Sequence, residues 1–449
     1  MRKHLLGTVA LAAIGLLFGS SLPALAEHED RPRTKNLHPM GHLEEPASLL
    51  NPEIGNPDVH TDMAFWGKYA FQGTWLGFDI RNISAPGNPK QISHTTCERP
   101  QGDMIIWENI LVRTADGLAP APFECDGVTF PEGFGGLHIF DVSDVTNPVL
   151  ITGVQLPCGA HTATAVPDPE NNRLLVYGNS SSADCEWIDI VEIPLDDPES
   201  AEVIGVAEAG RWCHDTGVIL GDVLRAACAG ADGFTVFSLD PADGGALDSP
   251  VFLYSKNVNE APVIDPESPI SIGHSAAFTW DGEVIIFGHE PGGGALARCR
   301  EEDPDSDKSA FFFDADTGEF LGMWTLPRPQ TAQENCTIHV YNLVPTRSGS
   351  DILVLGNYQA GTWVVDITDP ANPVTLAWSD PDPLPVPPPP FDFLGLDLGG
   401  AWSSYWYNNF IYETNITQGL NIFRFSGKAT GGALRLPHLN PQTQEFTIR

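Results

Sequence analysis

Gly136-Leu-His-Ile-Phe-Asp-Val-Ser-Asp-Val-Thr-Asn-Pro-Val-Leu-Ile151 is the stretch whose reading decides the fold. A glycine opens a strand with apolar residues at alternate positions, Leu137 and Ile139, before Asp141. Ser143, Asp144, Asn147 and Pro148 then supply a turn, and Val149 starts a second strand. The pattern predicts two adjacent antiparallel strands. It returns almost unchanged at Gly361-Thr-Trp-Val-Val-Asp-Ile-Thr-Asp-Pro-Ala-Asn-Pro-Val374. Weaker copies begin at Gly77, Gly233 and Gly419. Long-period repetition of this kind fixes the architecture before any finer reading.

Ahead of each glycine-led pair lies another hairpin, whose first strand opens on a polar residue. These openings fall at His60, Asp103, His161, His214, His274, His339 and Ser404. Each interval accommodates a four-stranded sheet, and there are seven openings. The expectation is an all-β chain forming a single seven-bladed β-propeller of four-stranded antiparallel blades around a central channel. A pair of β-sandwiches lacks support because no domain linker interrupts the series, and a β-helix because the period is too long. Blade three is predicted at His161–Val166, Arg173–Gly178, Trp187–Ile193 and Ala201–Glu208. The last blade supplies three strands, so its fourth is expected from the N-terminal side, around Asn36–Leu43. Ala115–Gly135 reads as an insertion in blade two, and Leu384–Pro390 as an extended spacer.

Residues 1–26 read as a secretory signal peptide. Arg2 and Lys3 precede an apolar run, and Ala24-Leu25-Ala26 resembles a cleavage site. The propeller then occupies 27–449, and the expected location is secreted or extracytoplasmic. No later stretch is apolar enough to span a membrane. The 449 residues carry a formal net charge of −36, which disfavours nucleic acid as a partner. The eight cysteines suggest disulfides in an oxidising compartment. Local spacing favours Cys213–Cys228, followed by Cys97–Cys125, Cys158–Cys185 and Cys299–Cys336. A monomer is expected.

The Gly-Leu-His-Ile-Phe-Asp-Val-Ser-Asp…Asn-Pro unit and its copies resemble the LVIVD-repeat family of exported bacterial β-propellers. Further matches to the family's blade starts are Gln101-Gly-Asp103, Cys158-Gly-Ala-His161, Cys213-His-Asp215, His274-Ser-Ala, Glu334-Asn-Cys336 with His339, and Trp402–Tyr407. The resemblance implies the propeller fold and secretion, and says little about activity.

Residues that open the innermost strands should meet at one mouth of the channel. His161, His214, His274 and His339, on consecutive blades, are therefore the candidate ligands of a transition metal such as Zn, Fe or Cu. Asp215, Glu290, Glu334 and Glu413 are candidate outer-shell carboxylates. The ligand count is similar to that of seven-bladed oxygenases that hold iron with four histidines. His60, Asp103, Ser404, Asn179, Tyr358 and Glu413 are candidates for binding a ligand at the mouth.

Three functions follow as expectations. One is a scaffold binding a small molecule or protein at the channel mouth. The second is a metal-dependent oxidoreductase or lyase. The third is a calcium-stabilised adhesion module, drawing on Asp303, Asp305, Asp307 and Asp314. Lys308 stands where a calcium loop needs glycine. Gly273-His-Ser275 opens like a nucleophile elbow but lacks its final glycine.

Overall fold

Seven antiparallel sheets arranged around one axis make up a seven-bladed propeller. The computed structural model describes residues 28, 30–44, 58–384 and 398–448. The signal-peptide reading and residues 385–390 of the spacer lie outside them. Innermost strands run His60–Trp66, Met104–Trp107, Thr162–Asp168, Asp215–Leu220, Gly273–Phe278, Val340–Leu343 and Ala401–Tyr407. Blade three continues through Arg173–Asn179, Trp187–Pro194 and Glu202–Glu208, within a residue or two of expectation. The insertion in blade two forms a small hairpin, Phe123–Cys125 with Val128–Phe130.

The burial pattern explains the strands. Second strands such as Ile352–Gly356 are buried along their whole length, because each sheet is covered on both faces by neighbouring blades. Fourth strands such as Glu202–Glu208 form the outer edge of each blade and are largely exposed, Val203, Ile204 and Val206 included. The repeated Asp residues cap the turn that follows the third strand. Asp141 Oδ1 accepts from the Ser143 amide at 2.8 Å, and Asp366 Oδ1 from the Thr368 amide at 3.0 Å. The repeated glycine is required by close approach. A Cβ on Gly136 would lie 2.2 Å from the Val154 carbonyl oxygen, and one on Gly361 2.1 Å from that of Ser379.

Leu37–Leu43 pairs antiparallel with Gly419–Phe425 and completes blade seven, so the ring is closed by the N-terminal strand as expected. Buried Arg31 reinforces this closure through a 3.0 Å ion pair with Glu413. All four disulfides join the cysteines in the expected pairs. No helix among the described residues is long and apolar enough to cross a membrane.

The segment from Leu436 onward was assigned no role from sequence, and it crosses the channel. His438–Leu439 pairs with Phe65–Trp66 of blade one, and Thr443–Gln444 runs parallel to Val218–Ile219 of blade four. Asn440 and Thr443 bond to blades two and three.

Acidic crowding makes the fold sensitive to pH. Burial, and then the charges of Asp281, Asp366 and Glu283, push Asp351 up to about 7. An unfolded aspartate titrates near 3.9. Between roughly pH 4 and 7 the folded state therefore holds the extra proton, and stability falls as pH rises through that window. Asp351→Asn is expected to melt above the parent at pH 8 and to converge with it near pH 4. Equal melting differences at both pH values in thermal scans would reject this.

Candidate functional site

In six of the seven blades, all but blade two, a β-bulge at the start of the innermost strand turns one side chain toward the axis. The His161 amide donates to the Asn179 carbonyl at 2.7 Å while Thr162 also pairs with Asn179. His214 and Asp215 share Ala229 in the same way, and His339 and Val340 share Gly356. His274 lies in the register step between Gly273 and Ser275. Two residues opposing one is a bulge, which re-aims a side chain. In blades one and seven the register steps fall at Thr61–Asp62 and at Trp402.

Those bulges correct two positions. Asp62 and Trp402, rather than His60 and Ser404, face the channel. His60 is buried outside the chamber wall. The Ser404 hydroxyl is 2.6 Å from that of Thr362, which donates to Glu413 at 2.7 Å, so Ser404 and Glu413 belong to the ring closure. Asn179 is held between Thr162 and Thr216 at 3.1 and 2.8 Å. Glu334 accepts from the Thr331 amide at 2.6 Å and is likewise absent from the wall. Asp103, Asp215, Glu290, Tyr358 and the four histidines do line it.

The chamber encloses about 720 Å³. Successive histidine rings are spaced at 4.3, 4.0 and 4.3 Å from His161 through His214 and His274 to His339. Glu290 stands against them. Its Oε1 lies 3.5 Å from His339 Nε2 and 3.9 Å from His274 Nε2, and it accepts a 2.7 Å hydrogen bond from the Tyr358 hydroxyl. His214, His274 and Glu290 bring ligand atoms within 4.8 Å of one another. His339 Nδ1 donates to the Trp402 carbonyl at 2.6 Å, which leaves its Nε2 lone pair for the chamber.

Burial depresses His214 and His274 well below the usual imidazole value, and His339 to about 3. All three are neutral at pH 7, the form that ligates metals. Burial raises Glu290 to about 7. His161 differs. Burial would lower it, but Asp116, 3.2 Å from Nδ1, outweighs that and raises it, and Gln101 sits 3.3 Å from Nε2. Both nitrogens therefore face polar side chains, Asp116 on one side and Gln101 on the other.

The glycine run after Glu290 forms its cradle. A Cβ on Gly294 would fall 2.4 Å from Glu290 Oε1 and 2.5 Å from the Tyr358 hydroxyl. Tyr358 itself is held at φ 51°, a left-handed conformation uncommon for a bulky residue and concentrated at functional sites.

Beyond the histidines lie three buried aspartates. Asp62, Asp103 and Asp215 each accept the following residue's amide, at 2.8, 2.7 and 2.8 Å. Gln442 of the crossing tail donates to Asp62 Oδ2 at 2.8 Å. Burial, then the Asp62 and Asp215 charges, push Asp103 well above the carboxylate range.

Other candidates are absorbed by structure. The Lys308 ammonium donates to the Arg300 and Asp303 carbonyls at 2.8 and 2.9 Å, and Asp303 pairs with Arg300, which neutralises the acidic loop internally. Ser275 donates to the His339 carbonyl at 2.8 Å. Cys97 and Cys125 cluster with His138, but their disulfide leaves no thiolate.

Residues 133–155 match the model of the LVIVD repeat. The chain is a β-propeller that carries an LVIVD repeat. The matched segment contains the glycine-led strand pair of blade two, whose turn and close-packed glycine are described above. Among solved structures, this LVIVD-repeat propeller is similar to a Lactobacillus plantarum protein determined as a structural-genomics target. Identity is 12%, TM-score 0.51, and the match covers 84% of this chain and 96% of that one. At that identity the likeness concerns the fold alone. No curated protein gives a significant match.

Proposed function

We propose that the chain is an exported propeller whose axial chamber binds and transforms a small molecule at a first-row transition metal held by His214, His274, His339 and Glu290. Two imidazole nitrogens, at 3.5 and 3.9 Å from one carboxylate oxygen, carry the reading. Ligands about 2.0–2.2 Å from a tetrahedral ion stand roughly 3.4 Å apart, close to the two Glu290 distances. His339 lies outside the 4.8 Å cluster of His214, His274 and Glu290 and moves inward to complete the set. Three neutral imidazoles and one carboxylate suit Fe, Cu, Zn or Ni. Tyr358 and the Trp402 carbonyl orient the ligands from outside, as such partners do at metal centres. The remainder of the chamber leaves space beside the ion for a substrate. Recovered Fe or Cu assigns oxidoreductase chemistry, and Zn assigns lyase or hydrolytic chemistry. The disulfides support an extracytoplasmic setting.

Elemental analysis of the purified chain tests this. About one equivalent of metal is expected in the parent and in His161→Ala, and under about a tenth of an equivalent in His274→Ala. A metal-free parent would overturn the metal centre and leave a binding chamber. Loss from His161→Ala equal to that from His274→Ala would restore the four-histidine arrangement.

A further inference from the structure

The chamber has two chemically different sides. Blades three to six present the histidines and Glu290, while Val59, Tyr358 and Ile416 pack with Trp75 and Trp402 on the side of blades one and seven. Trp212 adds a third indole, its ring centred 6.1 Å from that of His214. The wall also contains Asp62, Asp103 and Asp215, and among the described residues it contains no lysine or arginine. His161, the one raised imidazole there, already faces Asp116 at 3.2 Å.

Buried carboxyls without basic partners are costly, and a protein ordinarily pairs such groups. Each of the three accepts its own strand's next amide, Asp103 Oδ2 also accepts from the Ala163 amide at 2.7 Å and Asp62 Oδ2 from Gln442 at 2.8 Å, so their placement is built into the blade starts, and every one of these donors is neutral. Indole faces attract cations within about 6 Å of the ring and also bury apolar surface. The formal net charge of −36 repels anions from the mouth and draws cations to it.

We infer that the ligand of this chamber is a small organic amine, bound as its cation, with the ammonium toward Asp62, Asp103 and Asp215 and an aromatic or apolar body against the tryptophans. This rests on the chamber being the ligand site proposed above, and it commits that site to a substrate class. The net charge of −36 disfavours anionic ligands, and a neutral ligand brings no counter-charge to the three carboxyls.

Three probes of one skeleton separate the possibilities: phenethylamine, 2-phenylethanol and phenylacetate. Their binding to the full chain is measured by calorimetry, once after chelator treatment and once after metal loading. Phenethylamine is expected to bind at least about tenfold tighter than the alcohol, with phenylacetate weakest. Asp103→Asn and Asp62→Asn, each checked by thermal melting, are expected to narrow that gap to about threefold or less. Equal or tighter binding of the alcohol or the carboxylate overturns the amine assignment alone, as does an unchanged preference in two folded variants. Binding of none of the probes in either state overturns the chamber as a ligand site. An amine preference in a chain that takes up no metal removes the metal centre and supports this inference.

Discussion

Gly294→Ala is expected to abolish metal binding at the proposed centre while leaving the propeller folded. The new methyl would sit 2.4 Å from Glu290 Oε1 and 2.5 Å from the Tyr358 hydroxyl, so the pair cannot keep its present geometry. Glu290 is the carboxylate that His274 and His339 share, and Tyr358 is the group that orients it. Disturbing an orienting partner alone typically costs 10–100-fold in metal affinity, and here ligand and partner move together, so a loss of at least about 100-fold is expected. The substitution also forces a side chain onto φ +68°, a backbone cost of about 1–2 kcal/mol. Gly293→Ala isolates that cost, because Gly293 has φ +62° and nothing within 4 Å of its Cβ position. Both variants should melt a few degrees below the parent, while only Gly294→Ala loses metal in a competition titration. Equal affinity in the two variants would remove Glu290 from the ligand set.

The repeat made the architecture legible because its physical demands are local. A glycine stands where Cβ would strike the neighbouring carbonyl, and an aspartate where the turn needs an acceptor, so the glycine returns in five blades and the full unit at Gly136 and Gly361. Closure by the N-terminal strand followed from counting strands in the last blade. The site was legible only in part. His161, His214, His274 and His339 could be placed on one rim, but bulges have no sequence signature, so Asp62 and Trp402 were missed in favour of His60 and Ser404. Asp116, which pairs with His161 and so sets it apart from the proposed metal ligands, lies far from it in the chain and follows no motif. Gly292–Gly294 is a glycine run in the sequence, and what distinguishes it is Glu290, one proline before it. A glycine run beside a single buried acid is the signal that could have been read.

Deleting residues 434–449 is expected to lower the melting temperature by about 5 °C or more. Innermost strands of a propeller have one free edge, which must meet water or a partner. The tail serves as that partner several residues along the strands from the histidines. Asn440 acts as a strand in miniature. Its side-chain oxygen accepts from the Ile106 amide at 2.9 Å and its nitrogen donates to the Ile106 carbonyl at 3.0 Å. The Val218 amide donates to the Gln442 carbonyl at 2.8 Å, Thr443 donates to the Ala165 carbonyl at 2.7 Å, and Gln444 accepts from the Phe278 amide at 3.3 Å. Five blades are thereby tied to one segment. Leu436 and Leu439 are buried at 7% and 4% exposure, and each contributes roughly 1.5–3 kcal/mol. Each hydrogen bond adds about 0.5–1.5 kcal/mol net, so the loss exceeds about 5 kcal/mol even after the tail's ordering entropy is returned. Asn440→Ala alone should cost about 1–3 kcal/mol through the orphaned Ile106 groups. The truncation also removes Gln442 from Asp62, so it should weaken phenethylamine binding more than Asn440→Ala does. An unchanged melting temperature would mean that the tail merely occupies the channel, and that the blades hold their ring through the cores between them.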